Sequence, residues 1–411
     1  MWTAGFRFGN TEFQPRKSLT ITIMNTLWII IQSIIGFNFI LPLLLIIASG
    51  FTRKAALKVQ NRQLPDYAII VTAYEQTIML ESVVQSILRL NYKLYHIYVV
   101  ADKCDPSELI FNHPNVSVLR PPKVLANNVK SHFYAIDNFL RPHDALTIVD
   151  SDNLVHKEYL NELNRFFDLG FEAIQGTREP KNLDTSLACL DAARDKYYDF
   201  YDGKLLFRLG SSATLSGSGM AFSTNVYKQT LQNVQIEGAG FDKVLQARLL
   251  KKNVRIAHAP NAIVYDQKSS QTSQLVSQRS RWINSWFKYV KYGADLSAKG
   301  IYKCSWNQFL FGIVLMRPPL FMFLILGLVC GVINLFIVPA VSFLWVILFV
   351  LFITTFLVAL RAQNTEIEIY RALISTPKFI ALQLLSLLHV RSANRRSIAT
   401  KHSTVNANST I

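Results

Sequence analysis

Cysteine is scarce in this 411-residue chain: Cys104, Cys189, Cys304 and Cys330 lie far apart and form no CxxC pair. That excludes the spacing of a thiolate zinc site and the framework of a disulfide-stapled domain, and it fits a main domain in reduced, cytosolic surroundings. Charge is scarce too. Charged residues are 17% of the chain against 50% apolar, and mean hydropathy is +0.22, more oily than a soluble enzyme. Acid is scarcer than base, with 27 Asp and Glu facing 43 Lys and Arg for a net +16. Such a balance serves nucleic acid, anionic lipid or a phosphate-bearing substrate. No nucleic-acid-binding motif is present, and clusters of base stand beside apolar runs (Arg53, Lys54, Lys58, Arg62; then Arg391, Arg395, Arg396). The expected partner is therefore a lipid bilayer, with no nucleic acid.

Long apolar runs are what the chain has in excess. Residues 25–48 carry no charge and can cross a hydrocarbon core of ~30 Å as one helix. They are too long for the core of a cleaved signal, ~7–15 residues. Residues 318–338 and 341–360 are two further uncharged stretches split by Pro339, the pattern of a transmembrane hairpin. Arg53–Arg62 follow the first span, and Arg361 and Arg391–Arg396 follow the last. Because positive residues stay cytosolic, the central domain and the C-terminal tail are expected in the cytosol, with three spans; Arg7, Arg16 and Lys17 run against that rule. Residues 301–316 and 377–390 read as interfacial segments, with a fourth span as the competing reading. The expected organisation is an extension (1–24), a transmembrane helix (25–48), a basic linker (49–65), a cytosolic globular domain (66–293), an interfacial helix (294–317), a transmembrane hairpin (318–360) and an amphipathic, basic tail (361–411).

Within the globular domain, short apolar runs alternate with helical spacing. Asp66–Ala73, His96–Ala101, Val116–Leu119 and Ala145–Val149 read as strands, and Gln76–Leu90 and Lys130–Leu140 as helices. The alternation predicts an α/β domain with a mainly parallel sheet, whose ligands bind beyond the carboxyl ends of the strands. Acidic residues stand at two such ends, Asp102 and the triplet Asp150-Ser151-Asp152. Two carboxylates one residue apart can reach one hard divalent cation, and Mg²⁺ or Mn²⁺ sharing oxygen ligands with substrate phosphates suits the pair. Asp195, Asp199 and Asp202 read as the solvated face of a helix, and His156 and His258 as structural.

From about Asp66 to Trp286 the motifs resemble, in order, those of the membrane-bound branch of glycosyltransferase family 2, which holds the cellulose, chitin and hyaluronan synthases. VTAYEQT (71–77) resembles the opening nucleotide loop and VVADKCDPS (99–107) the second. Val129-Lys130-Ser131 is similar to the basic segment that follows, and Asp150-Ser151-Asp152 matches the metal motif. GSGMAF (217–222) resembles the Gly-rich loop near the acceptor. Gln278-Arg279-Ser280-Arg281-Trp282 fits the Gln-x-x-Arg-Trp signature, and SIATKHS (397–403) looks like a tail motif of some bacterial members. GFDKVLQARL (240–249) stands where the family carries Thr-Glu-Asp, with Phe241 in place of the Glu; Glu237 is the nearest substitute.

The resemblance implies a GT-A-like domain in a bacterial inner membrane. It also implies inverting, metal-dependent transfer from a UDP-sugar to a growing polysaccharide, or one addition to a lipid-linked acceptor. A non-catalytic sensor of nucleotide-sugars is the alternative of another class. Three spans are few for a private channel, so the polymer reading carries a possible oligomer with it. By the same resemblance Asp242 is the base, and Ala73, Glu75, Asp102, Lys130, Asp150 and Arg281 bind the nucleotide-sugar. Gly217, Gln278 and Trp282 meet the acceptor, and Asp150 and Asp152 hold the metal. Gln278, Arg281 and Trp282 fall at i, i+3 and i+4, so a helix would present all three on one face.

Overall fold

The computed structural model describes residues 15–52, 64–105, 109–236 and 238–390. The basic clusters Arg53–Arg62 and Arg391–Arg396, Ser107, Glu237 and the 397–403 segment lie outside the described residues.

Among the described residues eight strands form one sheet: β1 (Tyr67–Tyr74), β2 (Tyr95–Asp102), β3 (Val116–Leu119), β4 (Ala145–Asp150), β5 (Leu154–Val155), β6 (Ala173–Pro180), β7 (Met220–Ser223) and β8 (Ile256–Asp266), in the order β3-β2-β1-β4-β7-β6-β8-β5. β1 to β4 pair in parallel, as does β6 with β8. The short β7 runs antiparallel between β4 and β6, and β5 antiparallel to β8. This is a mainly parallel α/β sheet of GT-A type. Side chains alternate across it with the period of two that a strand imposes. Tyr67, Ile69 and Val71 pack on one face against Val83, Val84, Leu160 and Leu163. Ala68 and Ile70 pack on the other, with Val244, Leu245 and Leu249 of helix Phe241–Lys251 in the same core. The Lys130–Leu140 helix of the sequence reading begins earlier, at Asn128, because the Asn127 side chain caps it by accepting from the Lys130 amide.

That second core continues without a break into the apolar helices. Phe39 of helix Pro15–Gly50 is fully buried, its ring 5.3 Å from Phe323, 4.9 Å from Phe349 and 5.7 Å from Trp345. Tyr201 Oη, on the globular side, donates to the Thr355 carbonyl at 2.8 Å. Pro339 occupies the first turn of helix Pro339–Ala362 and separates it from Leu320–Ile337, where its missing N–H costs no hydrogen bond. Outward-facing Ile29, Phe336 and Val350 are more than half exposed, apolar surface that calls for a cover other than water.

One expectation is revised. Residues 294–317 are not one helix: Lys291–Tyr302 and Trp306–Met316 form a tight helical hairpin, with Gly300 against the Phe309 backbone and Gly293 against Met316. Among the described residues four helices are long and apolar enough to cross a membrane, 22–50, 320–337, 339–362 and 367–388, the last at the place of the competing fourth span. The fourth is broken at Leu373–Ser375. It packs on helix Thr272–Tyr289, and Asn284 Nδ2 of that helix donates to the Val390 carbonyl. It therefore lies against the globular domain, as an interfacial segment would.

Gly327 lets helix Leu320–Ile337 approach Phe39, for a Cβ there would lie 2.6 Å from the ring. Gly327→Val should destabilise the helix packing by roughly 1–3 kcal/mol, read as a lower apparent Tm of the detergent-solubilised protein. Gly50→Ala, with nothing within 4 Å of its Cβ, should leave Tm in place.

Candidate active site

A cavity of about 660 Å³ opens beyond the carboxyl ends of the central strands, where open α/β sheets bind ligands. Asp150, Asp152, Asp242 and Arg281 all line it. β4 delivers Asp150 alongside Thr72 of β1. The turn after it is pinned by one hydroxyl: Ser218 Oγ accepts from the Asp150 amide at 3.1 Å and from Asn153 Nδ2 at 2.8 Å. Ser218 lies between Gly217 (φ 93°) and Gly219 (φ 66°), left-handed positions that favour glycine. A Cβ on Gly219 would also sit 2.9 Å from Val264, whereas one on Gly217 would meet nothing within 4 Å. GSGMAF is thus the turn that enters β7 and buttresses the acidic triplet, and its Gly217 lines the cavity.

Burial, and then the neighbouring Asp152, push the Asp150 carboxyl up to about 7, with Asp242 and Asp266 adding to the effect and Arg178 opposing it. A carboxylate pair held together at that cost has the chemistry of a divalent-cation site, since a cation would relieve both the burial and the repulsion. No cluster of three or more His, Cys, Asp or Glu suited to a metal occurs among the described residues. Asp150 and Asp152 are the carboxylates that could reach such an ion, whose remaining positions would then fall to phosphate and water, as Mg²⁺ and Mn²⁺ accept.

Asp242 lies in the first turn of helix Phe241–Lys251 without being its cap. Gly240 is the N-cap, at φ 99°, and no side chain caps the helix. A Cβ on Gly240 would stand 2.8 Å from Tyr289 and 3.1 Å from Ser285, so the turn is pressed against the signature helix. The Asp242 side chain keeps 18% of its surface exposed, 3.6 Å from Lys243, and faces the cavity. On helix Thr272–Tyr289, Gln278, Arg281 and Trp282 line the cavity together, as their spacing requires. Burial lowers the Arg281 pKa, leaving a cation that an anionic ligand would stabilise. Trp282 is stacked against two guanidiniums, Arg279 at 4.2 Å and Arg194 at 4.4 Å.

Other residues named from the sequence stand back from the cavity lining. Ala73 is buried in β1, while its neighbours Thr72 and Tyr74 line the cavity. Glu75, at φ 59°, pairs with Lys103 at 2.6 Å. Asp102 is 3% exposed, and its two oxygens accept from the amides of Leu125 and Ala126 at 3.0 and 2.7 Å. It shapes the cavity from behind, because Ala126, Asn127 and Val129 form that rim. The Lys130 side chain is exposed, outside the lining.

The largest departure from the sequence reading is the floor. Asp195, Asp199 and Asp202 do not form a solvated face. Asp195 pairs with Lys268 at 2.5 Å and also with Arg194, Lys268 bonds Asp266 at 2.9 Å, and Arg178 also holds Asp266. Asp191 holds Arg279 and is 3.4 Å from Arg194. Four cations (Arg178, Arg194, Lys268, Arg279) thus face three carboxylates (Asp191, Asp195, Asp266) in one buried cluster. Burial alone would raise Asp195; Arg194, Lys268 and Arg178 outweigh it and hold the group far below the usual carboxylate range. Asp199 bonds His258 at 2.9 Å, in keeping with a structural histidine, and Asp202 holds Arg317. The sequence signals for the floor were an Arg at the end of strand AIQGTR and a helix, SLACLDAARDKYY, whose Ala, Cys and Leu leave no face for water.

An acidic pair, several buried cations and the partly exposed Asp242 carboxylate thus stand around one cavity. The model of the glycosyltransferase-like family 2 matches residues 65–285, more than half of the chain, and the chain belongs to that family; it is a glycosyltransferase. No curated protein matches it. Among solved structures it is similar to the mannosyltransferase PcManGT from Pyrobaculum calidifontis, in complex with GDP-Man and Mn²⁺ (13% identity over 89% of this chain and 97% of that one, TM-score 0.48). It is also similar to S. aureus TarS 1-349 in complex with UDP-GlcNAc (16% identity over 50% of this chain and 59% of that one, TM-score 0.36).

Asp150→Asn should abolish transfer yet raise the apparent Tm in chelator by roughly 2–6 °C. Asp150 ionises in the folded chain only near pH 7, but in the unfolded chain well below that. Its destabilisation therefore grows as pH rises towards 7 and is complete above it, so the gain in Tm should be greater at pH 8 than at pH 5.5. Equal melting of the two proteins at pH 8 would refute the reading.

Proposed function

We propose that the chain is a membrane-bound, inverting transferase that moves a sugar from a UDP-sugar to an acceptor at the cytosolic face of the bilayer. The observation that carries this is the convergence of Asp150, Asp152, Asp242 and Arg281 on one cavity. Asp150 and Asp152 would hold a Mg²⁺ or Mn²⁺ ion, which when bound neutralises the diphosphate of the donor. Arg281 adds planar charged donors towards the same phosphates. Asp242 accepts the proton of the acceptor hydroxyl as that oxygen attacks the anomeric carbon from the face opposite the nucleotide. Thr72, Tyr74 and the rim behind which Asp102 stands would surround the nucleoside.

Cytosolic orientation is supported by the basic residues that flank the spans, and placement in the membrane-bound branch by the order of the motifs. The cavity wall favours a lipid as acceptor, because Leu315, Pro319, Leu320 and Phe321 bring the entrance of a candidate span into the site. Elongation of a polysaccharide is the second reading, favoured by Trp282, an aromatic side chain in the cavity lining of the kind that packs on a sugar ring.

Purified protein in lipid nanodiscs, screened with UDP-sugars and Mn²⁺ or Mg²⁺, should release UDP, and chelator should stop it. Asp242→Asn should lower kcat by about 10²–10⁴-fold with donor KM little changed. A variant that keeps wild-type kcat would remove Asp242 from the chemistry.

A further inference from the structure

The buried Asp202–Arg317 pair lines the cavity and takes no part in the transfer step. Residues Asp199–Leu205 form a π-helical segment, a rare geometry that recurs at functional sites. It is held on three sides. Asp199 bonds His258 at 2.9 Å, and Gly203 passes beneath that ring, where a Cβ would lie 2.7 Å from His258 Cδ2. Tyr201 Oη bonds the Thr355 carbonyl in the apolar hairpin. The widened turn directs Asp202 into the cavity, where it holds Arg317, the last residue before Pro318-Pro319 and helix Leu320–Ile337.

Asp202 and Arg317 are 6% and 7% exposed, and each has one buried atom, Asp202 Oδ1 and Arg317 Nη1, with no hydrogen-bond partner among the described residues. Buried polar atoms in a lined cavity call for a ligand or water. The pair is neutral overall and offers an acceptor beside a donor. A group that satisfies both must donate and accept at once, as a hydroxyl does. A phosphate monoester would take the guanidinium's hydrogen bond but meet the Asp202 carboxylate as a like charge. Leu315, Pro319, Leu320 and Phe321 line the same cavity, so the group that fits carries an apolar body lying in the bilayer.

We propose that Asp202 and Arg317 form the acceptor subsite and receive a hydroxyl of an uncharged membrane lipid, a diacylglycerol-type or glycolipid headgroup. This rests on the transferase reading above. In the step it implies, the lipid oxygen bonds to the anomeric carbon, the bond from that carbon to the nucleotide diphosphate breaks, the hydroxyl proton goes to Asp242, and UDP leaves.

The test uses the full chain in nanodiscs, with the UDP-sugar that supports UDP release and four separate acceptors: dioctanoylglycerol, a dialkyl glycoside, a short polyprenyl phosphate and a soluble oligosaccharide. Labelled product on one or both neutral lipids is expected. Asp202→Asn should raise acceptor KM by about tenfold, as for one lost hydrogen bond to a charged group, with donor KM moved less than about twofold, and Asp202→Glu should recover part of the loss. Preference for the polyprenyl phosphate, or extension of the oligosaccharide, overturns the proposal, as does an Asp202→Asn enzyme whose acceptor and donor KM rise together. Should Asp202→Asn fail to fold, acceptor choice by the wild-type protein decides alone. UDP release into water without any of these products sinks the lipid proposal while leaving the UDP-sugar reading standing; silence with every UDP-sugar sinks the UDP-sugar reading.

Discussion

The site depends on burying four cations and three carboxylates between the sheet and the signature helix. Arg178 comes from β6, Asp266 and Lys268 from the end of β8 and the turn beyond it, Asp191, Arg194 and Asp195 from helix Ser186–Tyr198, and Arg279 from helix Thr272–Tyr289. Desolvating such groups costs several kcal/mol each, and only mutual pairing recovers it, so removing one member strands the rest. The cluster therefore fixes the relative position of two stretches far apart in sequence, 178–195 and 266–279. The cluster holds one more cation than carboxylates, and Arg178 acts on Asp150 directly. One device thus orders the cavity and biases it towards anions.

The fold was legible because buried parallel strands write themselves as short apolar runs: ALTIV is β4 to within a residue, and HIYVVA lies inside β2. Helical spacing placed Gln278, Arg281 and Trp282 on one face for the same local reason. The floor was not legible, because its partners are joined over separations such as Arg178 to Asp266 and Asp191 to Arg279, both 88 residues. No periodicity reports such pairings. β7 was hidden for another reason. At four residues, and antiparallel to both neighbours, its sequence read as a glycine loop, and only the sheet shows Ser218 to be the pin of the acidic triplet.

Charge pattern alone misassigned the helix of Asp195 and Asp202. Acidic residues at helical spacing face water when the opposite face is apolar, but here Ala188, Cys189, Leu190, Ala192 and Ala193 are all buried. With neither face free, the acids had to find cations. The π-helical segment that follows tilts the next acid away from the first cluster and towards Arg317. The same segment ties the sheet to the apolar hairpin through Tyr201, so the register that brings Asp202 into the cavity also sets the cavity's place against the apolar helices.

The altered triplet at 240–242 becomes intelligible in that frame. A Thr at position 240 would need a Cβ where Tyr289 and Ser285 already stand, and a φ of 99° that disfavours it. Gly240 lets helix Phe241–Lys251 start hard against the signature helix. Phe241 is 8% exposed, with its ring 5.3 Å from His132, a buried histidine whose pKa burial lowers to about 3. A Glu at 241 would bring a carboxylate to an uncharged aromatic pocket, at the cost of an unpaired buried ion. The two changes therefore belong together: close packing of two helices replaces a polar turn, and it leaves Asp242 as the triplet's only carboxylate facing the cavity.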